Sequence, residues 1–318
     1  MATVTQVVKR TVQPAGGYIS PKQFELIEYR LKDTPEEDLE DTNELMDLGA
    51  ETTHPTVTGV VVDYLTRAMI EIARTGNASC TSKSKSLNII CHGARQKNEV
   101  NKFEEEARKI KDLSDESINA MCRLTAYDTY YRSGMEVDPS TIYADPTTCE
   151  HIRLMVQRTL NILSTRDDGM IEFEPTFNGG YSEIVSKGDG DYVSPSTLYD
   201  LKVSKNKSID SKQTLQLAIY LILARRAVLG TGIWYPTPFM HDRCIEYFAN
   251  VENIAIINPR YNIVYELKIN KETEDVLNQI EQNVVEGKGT AQSVISPNIQ
   301  PDPKKPKRKV SNKSLLDF

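Results

Sequence analysis

Three side chains in one short stretch are spaced for metal-assisted hydrolysis. Asp191 closes the run Gly188-Asp189-Gly190, and nine residues later Asp200-Leu201-Lys202 lies within an apolar segment. Mg²⁺ and similar hard cations take oxygen ligands and keep several waters, so one or two carboxylates suffice to hold one. Asp191 and Asp200 offer such a pair. The segment Thr197 to Ser204 is bounded by Pro195 and by the polar run from Lys205 to Lys212. Its β-branched and aromatic residues suit a strand. Side chains alternate along a strand, so Asp200 and Lys202 share one face while Leu201 points into the core. Gly188 and Gly190 permit a tight turn that carries Asp191 towards Asp200. Beyond the polar run, Asp210 or Ser211 caps a helix. Gln213, Gln216 and Tyr220, spaced three and four apart, share one of its faces.

Asp-x-Lys and Gln-x-x-x-Tyr are common patterns when met alone. In this order, with a glycine-flanked acid ahead of them, they are far more specific. The stretch resembles the PD-(D/E)xK nuclease superfamily, and within it the RecB-like branch, whose extra helical signature is Gln-x-x-x-Tyr. The resemblance implies an α/β fold, restriction-endonuclease-like, with a mixed sheet flanked by helices. It also implies phosphodiester hydrolysis dependent on Mg²⁺ or Mn²⁺. Carried onto this sequence, Asp191 and Asp200 hold the metal, with the backbone carbonyl of Leu201 as a further ligand. Lys202 orients or deprotonates the attacking water. Gln216 and Tyr220 face the catalytic strand and the nucleic acid. The branch often has a metal-contacting histidine upstream, and His54 is the candidate at a comparable place; the other reading of His54 is a plain loop histidine. Glu172, Glu174 and Glu183 are further acids, and Glu183, closest to the motif, is a candidate additional ligand. Some members build an iron–sulfur cluster from one early and three late cysteines. Here only Cys244 follows the motif, so no iron–sulfur cluster is expected.

The elements that must position these residues are read from the rest of the chain. Its 318 residues suit one large domain with an insertion. Its 39% hydrophobic and 26% charged content is that of a soluble globular protein. No run approaches the eighteen apolar residues of a membrane span, and the first residues lack a signal-peptide core. The five cysteines form no C-x-x-C pair, which argues against zinc and for reduced thiols in a cytoplasm. A net charge of −7 does not advertise nucleic-acid binding. The charge is uneven, however: Asp33 to Asp47 holds eight acids and no base, while Lys202 to Lys212 and Lys304 to Lys309 are basic.

In chain order, Ser20-Pro21-Lys22-Gln23 has the form of a capped helix start, with Phe24, Ile27 and Leu31 as its apolar face. The acidic stretch reads as a solvated loop or polar helix. Val57, Val61, Leu65, Met69 and Ile72 recur at helical spacing and predict the first core helix, ended by Gly76; Asp63 and Arg67, four apart on it, form an ordinary ion pair. Residues 77–98 read as a polar loop with one apolar piece, Leu87 to Cys91. Three helical patterns follow: Asn101 to Leu113, a Ser114-capped one through Tyr131, and one opened by Pro146. Together residues 77–165 form a helical insertion. Tyr127, Tyr130 and Tyr131 are placed either to stack on bases or to pack that insertion.

The sheet is expected to begin near Gly169, where MIEFEPTF alternates, with Tyr181 to Lys187 as a second arm. Trp234 sits in a loop. Asn253 to Ile257 and Ile263 to Ile269 predict a hairpin, and Lys271 to Val285 a helix. The domain is thus expected to span residues 1–286. Residues 287–318 have the composition of a disordered basic tail. Within it PKKPKRKV, residues 303–310, resembles a nuclear-localisation signal, which gives a nuclear alternative to the cytoplasm if the host is eukaryotic. Ser314 to Phe318 resembles peptides that dock bacterial sliding clamps, which implies a protein partner through the tail.

The expected function is metal-dependent hydrolysis of DNA, with RNA open as a substrate and no membrane. With no GxxxxGK[ST] there is no helicase motor. The expectation is an exonuclease or single-strand-acting nuclease of phage, recombination or defence context. The alternative is a non-catalytic nucleic-acid-binding or interaction module on the same fold.

Overall fold

The computed structural model describes residues 2–29, 49–166, 170–233 and 237–288. The acidic stretch from Asp33, Leu31, Gly169, Trp234 and the basic tail from residue 289 onward lie outside them.

The described chain forms a mixed sheet flanked by helices on both faces. The elements run β1 (Ala2–Thr3), α1 (Val4–Arg10), β2 (Glu25–Glu28), α2 (Pro55–Thr75), α3 (Asn88–Gln96), α4 (Val100–Ala107), α5 (Asp115–Ser133) and α6 (Pro146–Arg166). They continue with β3 (Glu172–Phe173), β4 (Val185–Lys187), β5 (Tyr192–Val193), β6 (Thr197–Leu201), α7 (Ser211–Leu229), α8 (Pro238–Phe248), β7 (Asn253–Asn258), β8 (Ile263–Lys268) and α9 (Lys271–Ile280). Six strands form one sheet in the order β2-β8-β7-β6-β5-β3, and β1 pairs with β4 separately. Strands β6 and β7 are parallel, connected through α7 and α8, and the other pairs of the large sheet are antiparallel. No helix among the described residues is long and apolar enough to cross a membrane.

Alternation along the central strands sorts the core into two layers. Tyr199 and Leu201 of β6 and Ala255 and Ile257 of β7 pack against α2 and the helices up to α6. Leu198, Ile254 and Ile256 face α1, α7, α8 and α9. The helices between residues 77 and 166 thus share one hydrophobic cluster with the sheet and with α2.

Helix starts and stops follow local chemistry. His54 caps α2 with Pro55 at its first position, and Gly76 ends it in the left-handed region at φ 69°. Ser114 and Gly134 do the same for α5. The stretch of helical spacing at 57–72 is therefore a helix, Val60 to Val62 included. The hairpin β7–β8 and the helix after it also form as expected, with a π-helical last turn from Glu281 to Val285.

Four expectations need correction. The Ser20–Gln23 capping box forms, but it closes only a single 3₁₀ turn. Phe24 then turns extended, and Glu25–Glu28 becomes the edge strand β2, so the sheet takes its first strand well before residue 169. The alternating MIEFEPTF run pairs over only Glu172 and Phe173. Glu174 adopts φ 50°, which breaks the strand, and Pro175 has no N–H to continue the ladder. Residues 77–98, read as a loop, contain α3, whose Ile90, Cys91 and Ala94 are fully or almost fully buried. Val185 to Lys187 pairs with β1 in parallel rather than continuing the large sheet.

Candidate active site

The site sits at the C-terminal end of β6, where α2 reaches it from one face of the sheet and α7 from the other. Its geometry starts from the β5–β6 hairpin, which pairs Tyr192 with Tyr199 and Val193 with Leu198. One further step of that register sets Asp191 opposite Asp200. The backbone ladder does not continue there. Instead the Leu201 N–H donates to Asp191 Oδ2 at 2.7 Å. A side-chain carboxylate has taken the place of a strand carbonyl, which fixes Asp191 against the strand that carries Asp200 and Lys202.

The glycines around Asp191 act through close approach rather than through a left-handed turn. Neither Gly188 nor Gly190 has positive φ. A Cβ on Gly188 would meet Val4 Cγ2 at 2.6 Å, and one on Gly190 would meet Pro175 Cγ at 3.1 Å. Asp189 to Asp191 runs alongside Glu174 to Thr176, with Glu174 N–H donating to the Asp191 carbonyl at 3.1 Å and Gly190 N–H to the Pro175 carbonyl at 3.1 Å. The segment expected as a tight turn is an extended arm pressed between α1 and Pro175.

Asp200 and Lys202 lie on one face, as strand alternation requires. Asp200 is 1% exposed, and Lys202 Nζ lies 2.9 Å from its Oδ1 and 2.7 Å from its Oδ2. Burial holds the Asp200 carboxyl above its ordinary pKa; Lys202 lowers it only in part, and the charge of Asp191 adds to the rise. For Lys202 burial acts downward, but Asp200 and Asp191 outweigh it and leave its pKa above the ordinary lysine value.

From α7, Tyr220 is 6% exposed and its ring stacks on Phe177 at 5.4 Å. Gln216 donates its amide to the Tyr220 hydroxyl at 2.9 Å. Burial raises the Tyr220 pKa, and the nearby charges of Asp200 and Asp191 add to it. Tyr220 is therefore both a core residue and a wall of the acidic cleft. Gln213, expected on the same face, is committed to the capping box of α7, accepting from Asp210 N–H at 2.8 Å.

The structure adds acids that the motif did not contain. Asp63, expected from sequence as half of an ordinary ion pair with Arg67, faces the site from α2. Arg67 Nε donates to its Oδ1 at 2.9 Å, and Tyr192 Oη donates to the same oxygen at 2.9 Å. Arg67, 4% exposed, also contacts Glu174 and lies 3.8 Å from Asp191 Oδ1. Burial pushes the Asp63 carboxyl well up; Arg67 opposes this, and the charges of Asp191 and Glu174 add to it. Asp189 and Glu174 line the same cleft, which has a volume of about 240 Å³. A second cleft of about 450 Å³, lined by Asp63, Asp191, Leu201 and Lys202, opens on the other side of Asp191. The i, i+4 spacing of Asp63 and Arg67 signalled their pairing, but nothing in their spacing signalled that Asp191 and Glu174 would converge on it.

Two expected residues are not brought in. His54 is exposed and accepts the Thr56 N–H through Nδ1 at 3.3 Å as the cap of α2. Glu183 is exposed on the turn closed by Ser182 N–H to the Val185 carbonyl, and lines neither cleft. All five cysteines are free and buried.

The donor set can be judged against a hard cation. Among the described residues no group of three or more Asp, Glu, His or Cys side chains is arranged to hold a metal ion. The Asp191–Asp200 pair is arranged differently. Asp200 Oδ2 is buried, and its one close polar contact is the Lys202 ammonium at 2.7 Å. Asp191, one quarter exposed, keeps Oδ1 towards the cleft. Two carboxylates whose charges repel, one of them partly open to the cleft, suit a divalent cation with oxygen ligands and retained waters. No protein-family model, curated protein or solved structure matches the chain.

Proposed function

We propose that the protein is a metal-dependent nuclease that hydrolyses DNA phosphodiester bonds, acting from ends or on single strands. One observation carries the reading: Asp191 bonds the backbone between Asp200 and Lys202, so that two carboxylates and an ammonium meet at one strand end. The mixed sheet flanked by helices supports a restriction-endonuclease-like fold, and the reading draws further support from Tyr220, whose hydroxyl accepts from Gln216 and feels the charges of Asp200 and Asp191.

In this reading Asp191 and Asp200, with the Leu201 carbonyl, would hold Mg²⁺ or Mn²⁺. Bound there, the cation supplies charge neutralisation and a more acidic water. Lys202, held as an ammonium by Asp200 and Asp191, donates hydrogen bonds to the water or the phosphate oxygens rather than removing a proton. Arg67 fixes Asp63 and Glu174 and offsets part of the rise that burial imposes on both carboxyls. Tyr220 and Gln216 set the wall against which the strand lies.

Gln216→Ala is expected to lower cleavage by on the order of tenfold, about the worth of one neutral hydrogen bond, with Mn²⁺ affinity unchanged. Tyr220→Ala should cost about 3–5 kcal/mol of stability because it opens a cavity beside Phe177; Tyr220→Phe should keep the fold. Calorimetric Mn²⁺ titration and thermal melting separate these effects. A Tyr220→Phe variant that cleaves at the wild-type rate would reduce Tyr220 to a core residue.

The purified protein tests the reading on linear duplex, closed circular duplex, single-stranded DNA and RNA, with Mg²⁺, Mn²⁺ or EDTA. Cleavage of linear or single-stranded DNA over closed circles is expected, with complete loss in EDTA. A shifted band in a gel with no cleavage in any lane would establish the binding-module alternative instead. Cleavage that persists in EDTA would defeat both.

A further inference from the structure

Beyond the acids, the cleft continues along β3 towards α8, a helix that the sequence did not announce. Glu174 lines both the acidic cleft and a neighbouring one of about 280 Å³, which α8 covers. Glu172 and Tyr247 carry the groove on into a third cleft of about 390 Å³. Its walls combine cations with exposed rings. The Arg243 guanidinium lies 5.1 Å from the Tyr247 ring centroid and 5.9 Å from that of Phe239. Phe239 is 68% exposed, so most of its ring is open to a ligand. Among the described residues no carboxylate pairs with Arg243.

Across the groove, Lys85 lies 4.7 Å over the Phe173 ring and pairs with Glu172. Burial, aided by the charges of Arg243 and Arg74 and opposed by Glu174 and Glu71, lowers its pKa to about 8. Arg243 and Lys85 line one cleft and Arg74 the next; Glu172 pairs with Lys85, which leaves Arg243 as the cation of the first cleft with no carboxylate partner among the described residues. Aromatic faces beside clustered cations bind single-stranded nucleic acid, because every base has a face to stack and every nucleotide a phosphate.

We infer that the groove between β3 and α8 holds one strand of the substrate as it approaches Asp191, with a phosphate at Arg243 and an unpaired base on Phe239. This rests on the nuclease reading for its substrate class. Unpaired bases are required because a base within a duplex has no free face for Phe239.

The test is binding of a short fluorescein-labelled oligodeoxythymidylate, followed by anisotropy in EDTA over a range of salt, so that cleavage does not enter. Arg243→Ala should weaken binding about tenfold, and it should reduce the slope of log K against log salt by about 0.7, the value for one phosphate contact on a single strand. Phe239→Ala should weaken binding at least about fivefold, the lower bound for one stacked base, with little change in slope. Arg243→Lys, which keeps the charge, should restore most of the slope. Neither alanine change should alter binding of a blunt duplex by more than about twofold if the groove takes unpaired bases. Melting temperatures should stay at the wild-type value for Phe239→Ala, since that ring is mostly exposed. Wild-type affinity and slope in both alanine variants would overturn the inference while leaving the acidic site untouched. Conversely, wild-type protein that cleaves nothing with any metal, yet loses oligonucleotide binding on Arg243→Ala, would sink the nuclease reading and keep the groove.

Discussion

Asp200→Asn is expected to lower cleavage by on the order of 10²–10³-fold, the usual effect of removing one charge-stabilising group from a preorganised site, and to leave the protein folded. Asp200 is almost fully buried, and its contacts in the structure are with Lys202 Nζ. Asn keeps the shape and removes the charge. It also removes repulsion from Asp191, so the loss of the Lys202 partner is offset. Lys202 is itself one quarter exposed and can turn to water. Single-turnover cleavage of a labelled strand, with thermal melting alongside, separates chemistry from folding. Asp191→Asn and Lys202→Ala should behave alike, because the three groups act as one unit and their losses do not add. Asp200→Asn cleaving at the wild-type rate would remove the site assignment.

The second large effect is on stability. Glu51 and Arg260 form an ion pair in which each side chain is 2% exposed, with Arg260 Nη1 2.5 Å from Oε1 and Nη2 2.8 Å from Oε2. His151 Nδ1 approaches the same carboxylate at 3.1 Å. This pair ties the segment leading into α2 to the turn between β7 and β8 and to α6. The backbone carbonyls of Pro259 and Arg260 accept from the buried Arg158 guanidinium at 3.0 and 2.8 Å. Removing one member of such a pair strands the other, so Glu51→Gln is expected to cost about 3–5 kcal/mol. Replacing both Glu51 and Arg260 by Met should cost less than the sum of the two single changes.

The same pair sets a pH dependence. Burial acts to raise the Glu51 pKa, but the hydrogen bonds and charge of Arg260, joined by His151, leave it below the ordinary glutamate value. A depressed folded-state pKa contributes stability that is fully present above the unfolded value and is lost as pH falls through the folded one. Denaturant melts of wild type and Glu51→Gln should therefore converge as the pH falls below the ordinary glutamate range. Curves that stay parallel there would show that the pair contributes nothing through its charge.

How much of this was legible in sequence varies with the physics involved. Asp200 and Lys202 on one face follow from strand alternation, which a short buried strand enforces. The caps of α2 and α5 follow from His54-Pro55, Ser114 and the glycines after each helix. Other features depend on partners remote in sequence. Glu25 to Glu28 carries a helix-start signature ahead of it and becomes an edge strand only because β8 offers a free edge. The α3 segment is polar on average, and its apolar side shows only once α5 packs on it. Asp63 reads as half of an i, i+4 pair, and its place near Asp191 depends on how α2 crosses the sheet. Gly188 and Gly190 were rightly singled out, but for conformational freedom, whereas they are required by the nearness of Val4 and Pro175. Such contacts between segments far apart in the chain leave no local pattern.

The most direct test of the account is whether Asp191 and Asp200 hold a divalent cation. Calorimetric titration of Mn²⁺ into the wild-type protein should show saturable binding. Asp191→Asn and Asp200→Asn should each weaken it at least about tenfold, the equivalent of about 1.4 kcal/mol, with unchanged melting behaviour in the absence of metal. Gln216→Ala should bind as the wild type does. Mn²⁺ binding of equal strength in wild type and both Asp variants, or no binding in the wild type, would contradict the claim that this carboxylate pair is a metal centre.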